Sequence, residues 1–163
     1  MIDFQALMSL LVNSGLEFIV IGGLAASAHG SARSTRDLDI VYRRTRENVD
    51  RLVSALSPIN PYLRGAPPGL PFVWDARTIL SGLNFTLTTS LGDLDLLGEV
   101  TGGGGYEQLL DHSIEVELFG VKLRCLGLER LIHVKRAAGR PKDFEAVAEL
   151  EAILEERERM SRE

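Results

Sequence analysis

Residues 18–42, FIVIGGLAASAHGSARSTRDLDIVY, constrain this chain more than any other stretch. An apolar, β-branched run, Phe18-Ile19-Val20-Ile21, breaks at Gly22-Gly23 and passes through small residues. It then meets a second apolar run that carries Asp37 and Asp39. Side chains alternate along a strand, so Asp37 and Asp39 share one face while Leu38 and Ile40 take the other. Two residues at ~3.3 Å each place the carboxylates roughly 6–7 Å apart along the strand, close enough to converge on a divalent cation. Aspartate is disfavoured in strand interiors, so two in a buried-looking strand call for a functional reason. A Gly-Gly turn that feeds a helix offers backbone N–H groups to a phosphate. One segment thus supplies both halves of a metal–nucleotide site.

The remaining composition narrows the class. The chain has 163 residues, a length that one domain with a respectable core accounts for (residues 1–163). Hydrophobic residues at 45% and charged residues at 25% are those of an ordinary soluble globular protein. A net charge of −5 argues against broad binding to nucleic-acid backbone. The single cysteine, Cys125, cannot pair internally and sits among apolar residues, which fits core packing and a reducing, cytoplasmic setting. No Lys or Arg precedes Arg33, so the N-terminus does not read as a signal peptide, and no apolar run approaches the ~20 residues of a membrane span.

Helical spacing of Phe4, Leu7, Met8, Leu11 and Val12 predicts a helix over 3–14, and Glu17–Ile21 reads as a strand covered on both faces. A short helix is expected from Leu24 to about Ala32, carrying His29 either as a partly exposed helix residue or as a contact to nucleotide or acceptor. Arg33 and Arg36 precede the carboxylates, either as surface ion-pair formers or as triphosphate ligands, since arginine matches phosphate geometry. Residues 46–56 form an amphipathic helix. The prolines of 57–75 mark a loop-rich insertion with a short edge strand at Pro71–Asp75. A short helix or turn over 75–81 precedes a hairpin of Asn84–Thr89 and Asp93–Leu97, which brings Asp93 and Asp95 onto a shared face. Gly102–Gly105 reads as a mobile loop near the site rim, followed by a short helix at Tyr106–Asp111. A second hairpin turns at Gly120, and helices follow over about 126–160. The first carries Lys135 in line with its apolar stripe; the second starts at Arg140-Pro141-Lys142-Asp143 and frays after Leu154.

Asp37, Asp39 and one of Asp93 or Asp95 make an oxygen-ligand set without His or Cys, which suits Mg²⁺, with Mn²⁺ as the substitute. Gly22-Gly23, then Thr35-Arg36-Asp37-Leu38-Asp39-Ile40, then a later strand with Asp95, resembles the DNA-polymerase-β-like nucleotidyltransferase superfamily. It is most similar to minimal nucleotidyltransferases and to nucleotidyltransferase toxins of AbiEii type. Late Lys135, Arg140, Lys142 and Asp143 strengthen the resemblance, which spans roughly residues 17–154. It implies an α/β (α+β) nucleotidyltransferase fold: a mixed sheet, helices mainly on one face and a C-terminal helical pair. It implies an enzyme that moves NMP from an NTP, such as ATP, to a hydroxyl of a protein, RNA or small molecule. Such an enzyme can be the toxin of a toxin–antitoxin pair, with an antitoxin protein as partner. A catalytically inactive nucleotide-binding or partner-binding module is the alternative. Asp37, Asp39 and Asp95 would hold metal and do chemistry, with Asp93 as the substitute for Asp95; Gly22, Gly23, Ser27, Arg33, Arg36 and Lys135 would bind nucleotide. The chain departs from the Gly-Ser form of the turn: position 23 is glycine, so Ser27 or the backbone would replace the phosphate-contacting serine.

Overall fold

The computed structural model describes residues 2–163. The run that opens the key segment forms β1 (Phe18–Ile21), and all four of its residues are buried. Burial at consecutive positions requires cover on both faces of the sheet, as the uninterrupted apolar run implies. The other strands are β2 (Asp37–Tyr42), β3 (Tyr62–Leu63), β4 (Phe85–Thr89), β5 (Gly92–Leu97), β6 (Ser113–Leu118) and β7 (Val121–Leu126). They form one mixed sheet in the order β3-β4-β5-β2-β1-β7-β6. β1 is antiparallel to β2 and parallel to β7, and β2 is parallel to β5. The Asp-x-Asp strand therefore lies at the middle of the sheet, the most constrained position available.

Helices α1 (Phe4–Asn13), α2 (Gly22–Ala28), α3 (Arg46–Leu56), α4 (Ala76–Ser81), α5 (Tyr106–Leu110), α6 (Leu128–Ala138) and α7 (Pro141–Ser161) cover it. Three are started by side-chain caps that satisfy an otherwise orphaned N–H. Asp3 accepts from the Ala6 amide, Thr45 from that of Asn48 and Asp75 from that of Thr78. Leu7, Met8 and Leu11 of α1 and Val49, Leu52 and Leu56 of α3 enter the same apolar cluster as Leu38 and Ile40 of β2. The C-terminal pair, α6 and α7, packs together as expected. No helix among the described residues is long and apolar enough to cross a membrane.

Five local expectations change. Helix α2 begins at Gly22 and ends at Ala28, because Ser31 and Ala32 leave it to donate to Glu149 of α7. His29 is not partly exposed: it is 5% accessible, with Nε2 2.8 Å from the Leu126 carbonyl. The edge strand is Tyr62–Leu63, not 71–75. Prolines 67, 68 and 71 cannot donate to a ladder, whereas Tyr62 and Leu63 pair with Thr88 and Leu87. Gly102–Gly105 is a hydrogen-bonded turn, with a bridge between Val100 and Gly104, and it seats on α6 beside Ala137 and Val134. The tail does not fray after Leu154; α7 runs to Ser161, helped by helix-forming Glu and Arg, and Arg157 donates to the His29 carbonyl at 3.0 Å.

Candidate active site

Parallel, in-register pairing of β2 with β5 sets Asp37 beside Asp93 and Asp39 beside Asp95. Register partners present their side chains to the same face, so the sheet brings four carboxylates to one side. Three converge: one oxygen from each of Asp37, Asp39 and Asp95 lies within 4.8 Å of the other two. Asp93 is outside this set and faces Arg64, whose Nε lies 3.3 Å away. That Nε is buried and makes no hydrogen bond, so the Asp93 contact is one of charge alone. Arg64 Nη2 is better placed: it donates to Asp95 Oδ1 at 2.8 Å and to the Leu87 carbonyl at 2.7 Å.

Sequence reasoning missed Arg64. It stands among prolines and glycines with no pattern around it, and only the pairing of β3 with β4 carries it to Asp95.

Crowding of the carboxylates shows in their proton affinity. Burial pushes Asp39 up to about 8; its hydrogen bond with Asp95 and the charges of Asp37 and Asp95 act the same way, and Lys135 opposes them. Asp37 is raised too, by burial first and then by Asp95. Like charges this close favour a shared proton or a bound cation.

Gly22 is what lets β1 end against this cluster. Its φ is +69°, and a Cβ there would stand 2.0 Å from Asp39 Oδ2. No other residue type fits both constraints.

A cavity of about 490 Å³ opens over the carboxylates, walled by α2, the 31–36 loop, α6 and α7. Gly22, Gly23, Arg33, Arg36, Lys135, Arg140, Lys142 and Asp143 line it with Asp37, Asp39 and Asp95. Ser27, Asp93, His29 and the Gly102–Gly105 run do not. Trp74 lies elsewhere, donating from Nε1 to the Val53 carbonyl. Among the lining cations, Arg33 faces Glu145 and Glu149 at 3.6 and 3.7 Å, and Arg140 Nε donates to Asp143 at 2.7 Å. Arg36, Lys135 and Lys142 make no ion pair among the described residues. Burial lowers the Lys135 ammonium, against the opposing pull of Asp143 and Asp39. Asp143 is 3% accessible. Burial raises its carboxyl, but the Arg140 side-chain and backbone hydrogen bonds, with the charges of Arg140 and Lys135, outweigh it and hold it below the usual range.

No family model matches the sequence, and no curated protein matches it. Solved structures do. One is a lincosamide antibiotic adenylyltransferase, LnuA, with lincomycin bound: 15% identical, TM-score 0.62, with 92% of this chain and 95% of that chain covered. Another, from Thermotoga maritima and provisionally described as a nucleotidyltransferase, is 16% identical with a TM-score of 0.58, covering 91% of this chain and 94% of that one. Likeness over nearly the whole of both chains, with a mixed sheet that centres the Asp-x-Asp strand, establishes that this chain has the nucleotidyltransferase fold.

Proposed function

We propose that the chain transfers NMP from an NTP to an acceptor hydroxyl, with Asp37, Asp39 and Asp95 holding Mg²⁺ or Mn²⁺. The observation that carries the reading is the convergence of three carboxylate oxygens within 4.8 Å of one another. Oxygens bound octahedrally at ~2.1 Å lie about 3.0 Å apart at adjacent positions and about 4.2 Å apart at opposite ones, so the three carboxylates draw together when an ion binds. An all-oxygen donor set suits these hard ions, and the raised Asp39 and Asp37 mark a place where positive charge is needed. When bound, such an ion supplies charge neutralisation and polarises the phosphoryl group.

The remaining work falls to side chains. Arg36, Lys135 and Lys142, which line the cavity and make no ion pair among the described residues, take the triphosphate. Arg140, oriented by buried Asp143, and Arg33, oriented by Glu145 and Glu149, extend this cationic wall. Arg64 holds one oxygen of Asp95, whose carboxylate joins those of Asp37 and Asp39. Asp95 so oriented accepts the proton of the acceptor hydroxyl. No aromatic side chain lines the cavity among the described residues, so recognition runs through the phosphates, with Leu131 and Val134 as aliphatic contacts for the base.

Likeness to LnuA puts a small-molecule hydroxyl among the candidate acceptors, beside protein and RNA. Incubation with each α-phosphate-labelled NTP, Mg²⁺ and cell extract tests the reading. Metal-dependent labelling that disappears in Asp39→Ala is the expected result. A labelled protein or RNA supports the toxin role, to be followed by a search for the antitoxin partner; a labelled small molecule supports an LnuA-like one. Nucleotide binding with no labelling from any NTP would leave an inactive binding module.

A further inference from the structure

The Gly-Gly turn lacks the hydroxyl of the Gly-Ser form, and the structure shows why position 23 cannot carry one. A Cβ on Gly23 would stand 2.7 Å from Thr35 Oγ1 and 2.9 Å from Thr35 Cβ. Contacts that short force one group to move, and both Thr35 atoms lie next to the backbone, where little can give. Thr35 therefore fills the volume that a residue-23 side chain would occupy. It lines the cavity together with Gly22, Gly23, Asp37 and Asp39.

We propose that Thr35 supplies the phosphate-contacting hydroxyl of this site, reaching from the 31–36 loop into the space left open by Gly23. The inference rests on the reading of the cavity as a triphosphate site. Thr35 Oγ1 donates to the Asp37 carbonyl at 3.1 Å. That bond is long for an O–H donor, whose preferred distance is about 2.7–2.8 Å. A phosphate oxygen is a charged and stronger acceptor than a neutral carbonyl, so the hydroxyl proton turns to the phosphate when one is present. The β-branched side chain has few χ1 states, which keeps Oγ1 close to the turn. Ser27 stands outside the cavity; Ser31 and Ser34 line it, but Ser31 Oγ donates to Glu149, and all three atoms nearest a residue-23 Cβ belong to Thr35. Gly23 and Thr35 thus act as a pair: a small residue on the turn and a hydroxyl from the loop.

The test is an exchange of the pair, read as affinity for Mg²⁺ complexes of the α,β-methylene analogues of the four NTPs. These analogues bind without transfer, so the readout does not depend on an acceptor. Thr35→Ser should bind within about twofold of the parent. Thr35→Val should bind about tenfold more weakly, the factor carried by one hydrogen bond to a charged group. Gly23→Ser alone should weaken binding or lower the melting temperature through the clash. Gly23→Ser combined with Thr35→Gly should recover affinity to within about threefold of the parent. Recovery there separates a phosphate contact from loop support, because the double variant has no bond to the Asp37 carbonyl from position 35. Parent-like affinity in Thr35→Val, or a double variant no better than Thr35→Gly alone, overturns the proposal while leaving the triphosphate site standing. A parent protein that binds none of the four analogues overturns both.

Discussion

Asp37, Asp39 and Asp95 stand on β2 and β5 at the middle of the sheet, whereas Arg36, Lys135 and Lys142 stand on a loop and on two helices across the cavity. The anionic side is over-determined. Backbone register places each carboxylate, Gly22 makes room for one, and Arg64 holds another. The cationic side is looser: Arg36 and Lys142 are exposed, Lys135 is half-buried, and none makes an ion pair among the described residues. With the carboxylates as the proposed metal ligands and the cations as the proposed phosphate ligands, the first are held rigid and the second are free to close on a substrate. The rigid side carries electrostatic strain, visible in the raised Asp39.

If the contrast is real, the largest effect belongs to the rigid side. Asp39→Asn should lower transfer by at least about a thousandfold, since metal-assisted charge stabilisation is worth several kcal/mol. The melting temperature should not fall, and activity within tenfold of the parent would break the assignment. Next, Arg64→Ala should reduce kcat by about 10–100-fold, the range seen when a group that orients a metal ligand is lost. KM for the NTP should change little, and Arg64→Lys should restore part of the rate. An effect on KM alone would move Arg64 to the nucleotide side.

Loss of one cation should do less. Lys135→Met is expected to raise KM for the NTP about tenfold with a smaller change in kcat, as for one charge-assisted contact. An unchanged KM would remove Lys135 from the triphosphate wall.

The strain on Asp39 gives a pH signature. Its folded-state value, about 8, lies above the ordinary carboxylate value of 3.8, so its contribution to stability is full below pH ~4 and is lost as pH rises through 8. Metal-free parent protein should therefore lose stability relative to Asp39→Asn between pH 5 and 9. A divergence of more than about 2–4 °C, the shift that 1 kcal/mol produces in a chain of this size, would register it in a melting scan. Excess Mg²⁺ should close the gap. Parallel curves in EDTA would show the cluster to be relaxed without metal. The smallest effect is expected from Arg33→Ala, whose pairs with Glu145 and Glu149 are partly exposed and worth under about 1 kcal/mol.

Much of the anionic side was legible in the chain, because its information is local. Period-two alternation puts Asp37 and Asp39 on one face, and the β-branched runs beside them have few other ways to fold. Asp95 was only half legible: its place within the strand favours it over Asp93 at the hairpin turn, where aspartate is often structural, but the two share a face. Parallel register decides, pairing Asp95 with Asp39 and leaving Asp93 to the charge of Arg64. Asn48 was not legible at all. It is fully buried, accepting from the Glu17 amide and donating to the Glu17 and Arg43 carbonyls, and an asparagine in an amphipathic helix reads as a surface residue. The misplaced edge strand had a comparable cause, since two residues cannot announce a strand before a neighbour offers its ladder.

What the sequence alone determined is the central strand pair, its two carboxylates, the Gly-Gly break and the late helices that carry Lys135 and Asp143. These follow from side-chain period and backbone propensity, which act over a few residues. The tertiary structure decided which third carboxylate completes the cluster, that Arg64 supports it, and that Thr35 fills the space beside Gly23. Those outcomes depend on contacts between residues 12 to 58 positions apart, set by sheet register and packing. No short window of sequence contains them.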